Sequence, residues 1–229
     1  LMDDNFASIV NAVEEGRGIF ENIRRFVHFL LTGNTGEMVL MLWAALAGWP
    51  VPLAAIQILW INLVTDGLPA LALGVERPEA NLMRCAPRRA WEGVIDWRQG
   101  RGILFRGLVL GAVAALGFRI VLEHAPQSLG RAQGTAFGIM AFGQLMLAAG
   151  FRSFVTTIPR LGLFTNPWML GAILVSGLMQ LCIMLTPGLR SVFEMESALG
   201  WEWLVVFVLS LVPVTVVELG KVFRGRGVG

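Results

Sequence analysis

From Phe26 onward polar residues are scarce, and where they gather they divide the chain into apolar runs of about 20 residues, the length a helix needs to cross a bilayer. The pattern predicts six such spans, at about 26–48, 53–73, 103–122, 135–151, 168–186 and 203–220. Pro50 and Pro52 punctuate the shortest connection, so the first two spans form a helical hairpin. Ahead of them, Phe6, Ile9, Val10, Val13, Ile19, Phe20 and Ile23 recur at roughly helical spacing between polar residues. They predict a cytosolic helix within 1–25 that has too few apolar residues to make a domain and must dock on something else. The expected fold class is an all-α membrane protein: a bundle of six transmembrane helices behind a short cytosolic N-terminal helix.

Composition agrees. Of the 229 residues 55% are hydrophobic and 15% charged, where a soluble domain carries about 25% charged residues. Charge placement adds orientation. Fifteen of the 18 Lys and Arg residues fall in the N-terminal segment, the 74–102 connection and its exit, the 152–167 connection and the tail; Arg119, Arg131 and Arg190 fall on the other side. By the positive-inside rule both termini are cytoplasmic. Most of the eight tryptophans lie near span ends, as an interfacial belt requires. Cys85 and Cys182 show neither a disulfide framework nor ligand spacing, and the first 25 residues are no signal peptide. The start at Leu1 reads as a fragment of a longer chain.

The stretch Trp60-Ile-Asn-Leu-Val-Thr-Asp-Gly-Leu-Pro-Ala70 carries the candidate chemistry. A carboxylate at membrane depth costs about 2.5–3.5 kcal/mol on insertion scales, so Asp66 needs a partner or a task. Asn62, Thr65 and Asp66 stand at i, i+3 and i+4, on one helical face, and Gly67 and Pro69 then weaken the backbone ladder. The expectation is a broken helix presenting hard oxygen ligands. In the preceding span Glu37 has Asn34 three residues before it, with Gly33 and Gly36 admitting a neighbour closely. Across the hairpin the two sets offer two carboxylates, two amide oxygens and a hydroxyl, which suits a divalent cation such as Ca2+ or Mn2+ and not zinc or copper. Gln144, deep in the fourth span, is a helix-to-helix hydrogen bond or a further neutral ligand. Gln57 and Gln180 read as packing contacts, His28 as interfacial, Glu218 as a partner of Lys221, and Gly107 with Gly111 as a close helix contact. No Walker loop and no Asp-Lys-Thr-Gly phosphorylation sequence is present, so the chain alone is not expected to use ATP.

Asp3-Asp-Asn-Phe, Val13-Glu-Glu-Gly-Arg, Asn34-x-x-Glu37 and Asn62-Leu-Val-Thr-Asp-Gly-Leu-Pro69, in that order, resemble the C-terminal part of P-type cation pumps of the calcium-transporting subfamily. The resemblance implies that residues 1–25 end a phosphorylation domain and couple its motion to the first span, and that 26–229 form the C-terminal transmembrane domain. It implies Asn34, Glu37, Asn62, Thr65 and Asp66 as ligands, with the 74–102 loop bracing the phosphorylation domain. The other pump domains, where ATP and Mg2+ would act, are its expected partners, together with the bilayer and without nucleic acid. Where the two-calcium type has an acid in its eighth helix, this chain has Gln144, which implies one divalent cation per cycle, with Glu37 a ligand or the carrier of a counter-transported proton. The rival readings are an independent secondary carrier or channel, against which the coupling helix argues, and a truncated chain without activity.

Overall fold

The computed structural model describes residues 6–77, 83, 93–198 and 200–225. Asp3 to Asn5, Arg226 and most of the 74–102 connection, including Arg84, Cys85, Arg88 and Arg89, lie outside the described residues. Among the described residues the architecture is helical, with no strand: α1 (Phe6–Leu46), α2 (Ala55–Trp60), a π turn (Ile61–Thr65), α3 (Gly67–Gly74), α4 (Trp97–His124), α5 (Leu129–Phe151), α6 (Ile158–Leu161), α7 (Pro167–Leu185), α8 (Pro187–Val192) and α9 (Gly200–Gly225). Among the described residues six helical stretches are long and apolar enough to cross a membrane: Ser8–Leu46, Ala55–Gly74, Trp97–His124, Leu129–Phe151, Pro167–Leu185 and Gly200–Phe223.

Two features differ from the sequence expectation. The cytosolic helix and the first span are one helix, α1, because no proline interrupts residues 6–46 and the glycines at 16, 18, 33 and 36 fall singly, each at a cost of only about 1 kcal/mol relative to Ala, too little to stop a helix of this length. The second crossing is also not unwound at Asp66. The backbone there stays helical (φ −94°, ψ −42°), and the interruption takes the form of a π turn in which the Asp66 amide donates to Ile61 O at 2.9 Å, five residues back. Pro69 has no N–H to give Thr65 O, and widening the preceding turn absorbs the mismatch.

α5 is the central post. Nearly every residue from Ala132 to Phe151 is buried, whereas the other spans keep broad apolar faces open to lipid, with Met38, Leu63, Leu71, Phe105, Leu178 and Phe207 exposed. A helix apolar all round belongs in the middle of a bundle, and the small residues of α5 let α1, α4, α7 and α9 close on it. α1 packs most extensively on α4, where Gly107 and Gly111 do their work within the chain. A Cβ on Gly111 would stand 2.6 Å from Gly36 O, so the two backbones touch and no side chain fits between them.

Candidate cation site

The pocket lies where α1, the π turn and α5 meet. Gly33 sets its floor: a Cβ there would stand 3.0 Å from Asp66 Oδ2 and 2.9 Å from Gln144 Nε2. The carboxylate and the amide therefore face each other across the space that one methyl group would fill. Asp66, Thr65 and Gln144 are fully buried, and Glu37 is 7% exposed. Glu37 Oε2 accepts from Asn62 Nδ2 at 3.0 Å, which ties the two crossings of the hairpin together. Asn62 Nδ2 also donates to Ile58 O at 3.0 Å, and the Thr65 hydroxyl donates to Ile61 O at 2.8 Å, sharing that acceptor with the Asp66 amide.

Among the described residues, the buried carboxylate oxygens without a partner all lie in this pocket. Both Asp66 carboxylate oxygens, Glu37 Oε1 and both polar atoms of the Gln144 amide are buried without a hydrogen-bond partner. Buried polar groups are nearly always paired, and an unpaired carboxylate is among the costliest exceptions. Such a constellation fits a cation, which would satisfy several of these oxygens at once. Among the described residues no three His, Cys, Asp or Glu side chains converge, so an ion here has two carboxylates and otherwise amide, hydroxyl and backbone oxygens. That set suits a hard cation and offers nothing to a soft metal.

Of the six residues singled out in the sequence, Glu37, Asn62, Thr65, Asp66 and Gln144 lie together, and Asn34 does not join them. Asn34 is exposed, because three residues of helix turn 300° and leave it about 60° from Glu37, while Gly33, four residues back, faces the pocket. Asn62 is exposed as well, with its amide nitrogen reaching inward. Thr32, buried on α1 with its hydroxyl unpartnered, is a polar residue that sequence reasoning missed. Ser176 was missed too: its hydroxyl on α7 donates to Val64 O at 3.2 Å, meeting a carbonyl of the π turn, and one turn on Gln180 Oε1 accepts from Trp60 Nε1 at 3.0 Å. Gln57 donates to Phe193 O at 2.8 Å, a structural contact. Glu218 and Lys221 pair at 2.6 Å, and Lys221 also donates to Gly150 O at 2.7 Å. His28 lies away from the pocket, with Nε2 3.4 Å from Gln99 Oε1.

A polytopic bundle with a buried, largely unpartnered acid pair on consecutive crossings, beside a π turn, defines a multi-pass membrane protein whose candidate cation site lies inside the bundle. Residues 50–223 match the family described as cation transporting ATPase, C-terminus, and the chain belongs to that family. It is 41% identical over 213 residues to the calcium-transporting ATPase of Bacillus subtilis (strain 168), covering 93% of this chain and 24% of that protein. It is 34% identical over 221 residues to calcium-transporting ATPase type 2C member 2 of Mus musculus, covering 92% and 23%. With calcium-transporting ATPase 3, endoplasmic reticulum-type, of Arabidopsis thaliana the identity is 31% over 268 residues, covering 100% and 26%. The chain thus spans about a quarter of the length of the curated relatives it matches.

Proposed function

We propose that this chain is the ion-binding transmembrane part of an ATP-driven calcium pump. The observation that carries the reading is the pair Glu37 and Asp66, buried on adjacent crossings with three of their four oxygens unpartnered. The names of the relatives support Ca2+ as the ion, and Mn2+ accepts the same oxygens. Asp66 and Asn62 from the second crossing, Glu37 from the first, Thr65 from the π turn and Gln144 from α5 would supply ligands, with Asn34 joining after a rotation of α1. One divalent cation per cycle matches the two carboxylates in charge, with Glu37 either a ligand or the carrier of a counter-transported proton. ATP and Mg2+ would act in cytosolic pump domains attached ahead of α1, whose residues 6–25 would end the phosphorylation domain and pass its motion to residues 26–46. Both termini would be cytoplasmic, on the side where the basic residues gather.

The test is equilibrium calcium binding to the full-length pump polypeptide, with Mn2+ and Mg2+ as competitors. One bound Ca2+ is expected, displaced by Mn2+ and lost in Asp66→Asn. Calcium binding unchanged in Asp66→Asn refutes the assignment.

A further inference from the structure

At the far end of α3 from Asp66 sits a second buried polar group, of opposite character. The last carbonyls of a helix have no partner within it, and those of α3 and the residues just beyond are met by side chains from two other helices. Asn22 Nδ2 on α1 donates to Gly74 O at 3.2 Å and to Glu76 O at 2.7 Å, and Arg25 Nη1 reaches Arg77 O at 3.5 Å. Asn166, the N-cap of α7, donates to Ala72 O at 3.4 Å. The Glu76 carboxylate is gripped from the other side: Arg152, at the end of α5, donates Nε to Oε2 at 2.7 Å and Nη2 to Oε1 at 3.1 Å, while Asn166 Nδ2 adds 2.8 Å to Oε2. Arg152 in turn is held by Gly162 O at 2.9 Å and the Thr165 hydroxyl at 2.6 Å. Asn22, Arg25, Glu76, Arg152 and Asn166 are all less than 9% exposed.

α1 and the second crossing are thus joined by two rungs. One is the Asn62 to Glu37 bond at the pocket, and the other is the Asn22 bond to the end of α3. About 22 Å of uninterrupted α1 separates Asn22 from Glu37, at 1.5 Å per residue. Asn22 and Arg25 stand at i and i+3 on one face of α1, so any shift of that helix is delivered to α3 through them. Resting on the function proposed above, we infer that Asn22 and the Glu76–Arg152 pair are positioning residues. They fix the offset between α1 and α3, and with it the distance between Glu37 and Asp66 at which a calcium ion is held. Charge neutralisation alone does not require this arrangement, because Arg152 could pair with Glu76 without any contact from α1.

The experiment compares variants of the full-length pump by the calcium concentration that half-saturates phosphorylation by ATP, alongside the thermal midpoint of the solubilised protein. Asn22→Asp keeps an acceptor for Arg25 but turns lone pairs toward the Gly74 and Glu76 carbonyls, so it cuts the α1 to α3 rung selectively. It is expected to raise the half-saturating calcium by about threefold to tenfold, the range for a residue coupled to a site at a distance, and Asn22→Gln, which keeps the donor, is expected to restore part of the loss. Lys221→Met removes a buried lysine that pairs with Glu218 and ties α9 to α5 through Gly150 O, and is expected to lower the midpoint while leaving half-saturation unchanged. If Asn22→Asp behaves like Lys221→Met, losing stability but not calcium affinity, the inference is overturned while the pump reading stands. If Asp66→Asn leaves calcium dependence intact, the ion site itself is misplaced and the clamp has nothing to position.

Discussion

Asp66 and Glu76 are ten residues apart, both acidic and both buried, and they could hardly be treated more differently. Glu76 receives three hydrogen bonds from Arg152 and Asn166, while both oxygens of Asp66 face inward with no donor. Burial of an acid therefore does not mark a site. What marks it is burial without fixed partners, because a carboxylate already paired with a guanidinium has no affinity left for a mobile ion.

The largest effect that would break this contrast is expected at Asp66. In the full-length pump proposed above, Asp66→Asn should abolish calcium-dependent phosphorylation while leaving the calcium-free protein about as stable as before, since it replaces a buried carboxyl that has no hydrogen-bond partner. Glu76→Ala should do the reverse in stability: it strands a buried Arg152 and is expected to cost about 3–5 kcal/mol, read from thermal or denaturant unfolding in detergent. Equal destabilisation by both changes would mean that the two acids play the same role. Next in size is Gly33→Ala, which places a methyl in the gap between Asp66 and Gln144; half-saturating calcium should rise about tenfold with little change in unfolding. Asn62→Ala should weaken calcium more than Gln144→Ala, because Asn62 also holds Glu37 in place, and the opposite order in a binding titration would shift the ion toward α5. Smallest is Ser176→Ala, which removes one interhelical bond to the π turn and should cost about 0.6 kcal/mol in unfolding, with calcium affinity nearly unchanged.

The acid pair was legible in the sequence because intramembrane carboxylates are rare and periodicity brings Asn62, Thr65 and Asp66 to one side. The number of crossings was legible from hydropathy alone. Asn34 was less so: a spacing of three looks like a shared face, yet 60° of rotation is enough to put one residue in the pocket and the other outside. The π turn left no trace either, since Gly67 and Pro69 announce a weakened ladder without saying whether the chain unwinds or widens. Least visible was Glu76. In the sequence it is one more charge in a charged connection, and its partner Arg152 lies 76 residues away. Ser176 was hidden for the same reason, being a common hydroxyl whose role depends on which carbonyl another helix brings beside it.

An unbroken α1 has a mechanical consequence. Forty-one residues make a rod about 60 Å long, roughly twice the hydrocarbon thickness, so much of it stands outside the membrane as a handle. With Asn22 and Arg25 as the fulcrum, a tilt of about 10° would swing Glu37 through roughly 3–4 Å, more than a whole calcium-to-oxygen bond length. In the pump proposed above, a small push at the free end of such a rod would be enough to open the grip at the other.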